Sequence, residues 1–138
     1  MNATAANAAP ATGETDLARL LAGLAPALAS RPRAIRSQAH DAAVPADALL
    51  LFREDEGATV VVAADEDDEA PLWAQITLRI HSSLEAVGMM AAISTALAAA
   101  DIPCNVVSAY HHDHLFVPWA RREAAMAALR ALAAGSAT

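Results

Sequence analysis

Residues 73–80 carry the most regular pattern in the chain. Ala74, Ile76, Leu78 and Ile80 fall on one side, and Trp73, Gln75, Thr77 and Arg79 on the other. A period of two predicts a half-buried β-strand. The pattern then changes at Ser82-Ser83-Leu84-Glu85. This reads as a capping box, with Ser82 as the cap and Glu85 reaching back to its amide. The helix it opens is predicted to run to about Ala100 on a core stripe of Ala86, Met90, Ile93, Leu97 and Ala100. Asp101-Ile102-Pro103 breaks it. Residues 104–109 read as a strand, 110–113 as a turn and 114–117 as a second strand. Pro118 and Trp119 open a last helix. Met126, Leu129 and Ala133 form its apolar stripe, while Arg121, Arg122 and Arg130 stay wet.

The first half is less regular. Leu17, Leu20, Leu21 and Leu24 recur at three and four residues and predict a helix from Thr15, with Asp16 at its positive end. Pro26 and Ser30-Arg31-Pro32 end it. Residues 33–37 alternate poorly and read as a strand. The apolar run Leu49-Leu50-Leu51-Phe52 suits a short helix or a strand, and Arg53-Glu54-Asp55-Glu56 followed by Gly57 a helix end or turn. Residues 59–64 are a strand by β-branched content. The acidic segment 65–69, closed by Pro71, reads as a solvated loop rather than a cation site. Residues 1–13 are small, polar and aperiodic, and are expected to be a disordered tail.

From Trp73 onward the predicted order is β-α-β-β-α, a ferredoxin-like α+β pattern without its final strand. An open sheet edge is a liability. The simplest repair is a strand from residues 33–64 of the same chain or from a partner subunit. That need makes the two halves of this 138-residue chain one cooperative unit.

Composition narrows the functional classes. Apolar residues make up 56% and aromatic residues 4%, which excludes disorder of the whole chain and implies close packing of small side chains. The nine basic residues are all arginine. A net charge of −7 argues against a nucleic-acid partner, which needs clustered cations. Cys104 stands alone, so no internal disulfide forms, and it reads as a small buried hydrophobe rather than a reactive thiol. The first residues lack the charged and apolar regions of a secretory signal. Residues 17–29 and 83–100 are too short or too interrupted to span a membrane. The expectation is a soluble, cytoplasmic protein with neither a membrane nor a nucleic-acid partner. Neither a Gly-rich phosphate loop nor a Ser-His-Asp spacing is visible.

Two segments carry candidate chemistry. In His81-Ser82-Ser83-Leu84-Glu85-Ala86-Val87-Gly88, amides at a helix start can receive a carboxylate, the serines add hydroxyls, and Gly88 permits close approach. The plainer reading is that the serines cap and the glycine packs. In Tyr110-His111-His112-Asp113-His114, an extended strand would put His112 and His114 on one face, as a metal clasp requires. The plainer reading is a polar hairpin whose histidines bond locally, since no complete ligand set accompanies them.

The strings HSSLEAVG (residues 81–88) and CNVVSAYHHDHLFVP (residues 104–118) resemble a bacterial subfamily of ACT-domain proteins. FREDEGATVVV (residues 52–62) resembles its N-terminal element. The resemblance spans roughly residues 15–133. It departs over residues 31–44 and in the acidic loop at 65–71. It implies a ferredoxin-like βαββαβ ACT domain at 72–134, completed by or paired with a second ACT-like unit at 14–71, with a short tail at 135–138. Such pairs are related to the regulatory regions of aspartate kinases, here without a catalytic domain. The implied function is a non-catalytic regulatory module, with no cofactor and no metal, that binds a small molecule, most simply an amino acid. In that family the ligand tends to sit between paired domains near the first strand-to-helix turn.

The expected ligand site is therefore His81, Ser82, Ser83, Leu84, Glu85, Ala86, Val87 and Gly88, joined by Asn105, Tyr110, His112, Asp113 and His114. The carboxylate would meet amides at residues 83–87, Asn105 would hold polar atoms, and Asp113 or Glu85 would take the ammonium. A homodimer is the expected assembly. The competing functions are a metal-binding protein or enzyme built on His111, His112, Asp113 and His114, and a purely structural dimerisation module.

Overall fold

The computed structural model describes residues 13–136. Most of the tails assigned to 1–13 and 135–138 thus lies outside the described residues.

The alternation at 73–80 produces β5 (Trp73–Leu78), whose Ala74, Ile76 and Leu78 are fully buried. It pairs antiparallel with β7 (Asp113–Pro118), Ile76 facing Leu115, and β7 pairs antiparallel with β6 (Asn105–Ser108). Two helices, α2 (Met89–Ala99) and α3 (Arg122–Gly135), cover one face of these strands. Ile93 and Leu97 of α2 and Leu129 of α3 meet Ile76, Leu78, Leu115 and Val117 in the main core. Leu20 of α1 (Leu17–Ala22) and Leu24 just beyond it join the same cluster. As expected, Asp16 caps α1, accepting a hydrogen bond from the Arg19 amide at 2.9 Å.

The free edge of β5 is filled from the same chain, but not from the expected segment. The main partner is β1 (Pro26–Leu28), with Leu28 opposite Ile76. Of residues 33–64, Arg33 alone pairs with β5, opposite Trp73. Ser30-Arg31-Pro32 explains the break. Proline has no amide to donate, and the chain gains two residues over β5 between the two pairings, as a bulge does. The resulting order β1-β5-β7-β6, with both helices on one face, is the ferredoxin-like arrangement. Its fourth strand precedes the first rather than following the last helix.

Beyond the bulge the chain continues as β2 (Arg33–Gln38), which pairs with β4 (Ala58–Ala63). That strand pairs in turn with β3 (Leu50–Arg53). The ambiguous run at 49–52 is a strand because it lies against β4, Leu50 facing Val61. All neighbours in the sheet β3-β4-β2-β5-β7-β6 are antiparallel. A second small core forms around Ala34, Val62 and Ala64. Ahead of α1, Glu14 makes a parallel bridge to Ser82. Among the described residues no helix is long and apolar enough to cross a membrane.

The capping box is not formed. α2 starts at Met89, six residues later than a cap at Ser82 would place it, and its cap is Gly88 at φ +97°, a conformation open to glycine and costly for other residues. Both serines are engaged elsewhere. The Ser82 hydroxyl donates to Asp113 at 3.1 Å, and Ser83 Oγ accepts from the Glu85 amide at 3.1 Å. Ala86 therefore lies outside α2, and Met89 rather than Met90 begins the buried stripe. The last helix begins with a 3₁₀ turn (Trp119–Arg121) before α3, and buries Ala125, Met126 and Leu129.

Candidate functional site

Ser82, Ser83 and Asp113 are the buried polar side chains among the described residues, and they lie together. The loop leaving β5 brings in the serines, and the first residue of β7 brings in the carboxylate. Polar groups taken out of water need partners. The Ser82 hydroxyl supplies one to Asp113 Oδ2. Beside them lies a cavity of about 170 Å³, bounded by the 82–88 loop, the first turn of α2 at Met89, Met90 and Ala91, and Ser108, Ala109 and Asp113. This is smaller than the roughly 300–1,000 Å³ typical of sites for drug-sized molecules. The amides that open α2 have no intrahelical acceptor and carry the positive end of its dipole. One side of the cavity thus favours an anion, and Asp113 favours a cation.

Of the expected residues, Ser82, Ser83, Leu84, Ala86, Gly88 and Asp113 line the cavity. Glu85 is exposed outside it, and Val87 is 81% exposed. Asn105 lies at the end of β6 away from Ser108, opposite Phe116, and does not border the cavity. Tyr110 is exposed in the turn, edge-on to His111 at 4.9 Å between ring centroids, and His81 lies 5.3 Å from the same ring. The amides of residues 83, 85 and 86 already have acceptors, namely Glu14 O, Ser83 Oγ and Ser83 O. The first turn of α2, at Met89, Met90 and Ala91, adds amides without an intrahelical acceptor beside the cavity.

His114 belongs to the other face of the sheet. Successive strand residues point to opposite sides, so Asp113 turns toward the helices while His114 meets Thr77 and Gln75. Its Nδ1 lies 2.9 Å from Thr77 Oγ1 and 3.4 Å from Gln75 Nε2, and Gln75 also accepts from Arg33 at 2.9 Å. Burial pushes the His114 pKa below the usual histidine value. His112 and Arg79 lower it further, and Asp113 opposes the shift. His112 sits in the turn, its ring centroid 6.5 Å from that of His114. Among the described residues, no group of three or more His, Cys, Asp or Glu side chains is placed to hold a metal ion. Burial also raises the Cys104 pKa, which disfavours a thiolate.

Met89, Met90, Ala91, Ser108 and Ala109 border the cavity without having been marked by the sequence. The available signal was Gly88: read as a helix cap rather than as a packing residue, it moves the helix start to the methionines.

Family models described as ACT domain match residues 73–131 and residues 12–79, overlapping over β5 and Arg79. A solved Vibrio cholerae protein, described as of unknown function and a possible transport protein, is 33% identical. The match covers 81% of this chain and 92% of that one, with a TM-score of 0.68. A solved Agrobacterium tumefaciens protein is 20% identical over 75% of this chain and 84% of that one, with a TM-score of 0.60, and shares the fold. No curated protein matches the chain significantly.

Proposed function

The chain belongs to the ACT-domain family, whose members are commonly small-molecule regulatory modules, and on that premise we propose that it binds an amino acid in the cavity between the 82–88 loop and β7, without catalysing a reaction. The observation that carries this reading is the buried Asp113 carboxylate facing the same small cavity as the opening turn of α2. A zwitterion matches that pair of ends. Its carboxylate meets the α2 amides, and its ammonium makes a charge-assisted bond to Asp113. Leu84, Ala86, Met89 and Met90 supply apolar walls, and Asp113 is the one charged side chain in the lining. This favours a small, uncharged amino-acid side chain. β6, with Asn105 and Val106 exposed, is an edge strand close to the site, which supports pairing of two copies.

Thermal unfolding against the twenty amino acids at millimolar concentration tests the reading. A binder at 100 times its dissociation constant adds about 2.7 kcal/mol to the stability. The corresponding amine and carboxylic acid, each lacking one of the two charges, are expected to give little shift. If no amino acid moves the midpoint, the reading fails.

A further inference from the structure

The ligand loop is held at both ends by a segment that the binding reading leaves unused. The Glu14 amide donates to His81 O at 2.8 Å, and the Ser83 amide donates to Glu14 O at 2.9 Å. Between His81 and Gly88, these are the backbone hydrogen bonds to another segment found among the described residues. Ser82 sits between the two bonded peptides, and its hydroxyl reaches Asp113. Just ahead, Gly13 lies flat against the same stretch at φ +106°. A Cβ there would come within 2.7 Å of Ser83 N, 2.8 Å of His81 O and 2.8 Å of Ser82 C. These are backbone atoms, which cannot swing aside as a side-chain tip can. At the far end of the loop, a Cβ on Gly88 would sit 3.3 Å from Leu17 Cδ2, so the first residue of α1 closes over the cap of α2.

We propose that the backbone of Gly13 and Glu14 and the side chain of Leu17 form a clamp that sets the shape of the amino-acid site, with Gly13 and Leu17 as positioning residues. The clamp fixes the peptides on either side of Ser82, and so the direction from which its hydroxyl reaches Asp113. It also fixes Ser83 in the cavity wall. Leu17 holds Gly88, and with it the point where the α2 amides begin. The ligand touches none of these clamp residues. The proposal rests on the binding reading above.

The test uses the full chain and its Gly13→Ala, Leu17→Ala and Thr15→Ala variants. L-alanine, L-serine, L-threonine and L-valine are titrated calorimetrically, and amide hydrogen exchange is followed at Ser83 without added amino acid. Gly13→Ala is expected to speed Ser83 exchange and to weaken the tightest of the four probes by about tenfold. Its unfolding midpoint is expected to fall, because alanine at φ +106° against fixed backbone is strained, so exchange and binding are compared well below the transition, where both chains are folded. Leu17→Ala is expected to weaken the same probe by a smaller factor, and Thr15→Ala to leave it unchanged. Two results overturn the clamp: Ser83 exchange unaltered in Gly13→Ala, or faster exchange with both variants binding within about twofold of the unaltered chain. If the unaltered chain binds none of the four probes or any other amino acid, the binding reading has failed instead.

Discussion

Asp113 and His114 are neighbours in sequence with opposite surroundings. Asp113 turns toward the helices, is 7% exposed, and lies beside a small cavity with Ser82 as its partner. His114 turns toward the open face of the sheet, where Thr77 and Gln75 hold its ring and burial disfavours its charge. A dense run of polar residues in a sequence is therefore not a cluster in space. The strand deals its members alternately to two sides. That takes Asp113 away from His114, while His111 and His112 lie in the turn before β7, and the metal-site reading of residues 111–114 loses its geometry.

The largest expected effect is on the strand that separates these two surroundings. Leu115 is fully buried in the main core directly beyond the pair. Leu115→Ala is expected to cost about 2–5 kcal/mol in chemical denaturation, enough to disturb both faces. Next comes the contrast itself. Asp113→Ala is expected to lose about 2 kcal/mol of amino-acid binding, or roughly 30-fold in Kd by calorimetry, whereas His114→Ala stays within about twofold. Equal losses in the two variants would erase the distinction between the faces.

The smallest effect separates the faces by pH. Because the folded pKa of His114 lies below its unfolded value, the unfolded chain binds the proton more readily. Its contribution to stability is therefore undiminished above the ordinary histidine range. It falls as pH drops through that range toward the lowered value. Melting midpoints taken between pH 7 and pH 5 are expected to decline slightly less steeply in His114→Ala than in the unaltered chain.

The sequence announced some of this fold and hid the rest for identifiable reasons. The alternation of β5 follows directly from one face being packed and the other open, so it is visible in Ala74, Ile76 and Leu78. β1 leaves no such mark: it is three residues long, opens with a proline, and is a strand because β5 lies beside it. Leu49-Leu50-Leu51-Phe52 fits either element until β4 supplies a partner. At the site, Ser82, Ser83 and Asp113 could be singled out by residue type, because buried polar groups need a reason. Met89, Met90 and Ala91 could not, since their part depends on backbone amides and on where the helix starts. Asn105 carried a plausible chemical group but lies at the wrong end of β6, a matter of register that no single residue reveals.

The placement of β1 also bears on how the molecule comes into being on the ribosome. Pro26–Leu28 emerges early, yet its partner Leu78 is among the last residues of β5 to be made. Until then the segment is a ribbon waiting for an edge, and nascent β5 has an edge waiting for a ribbon. A cut placed between them, however tidy it looks along the sequence, would leave each fragment holding half of one seam.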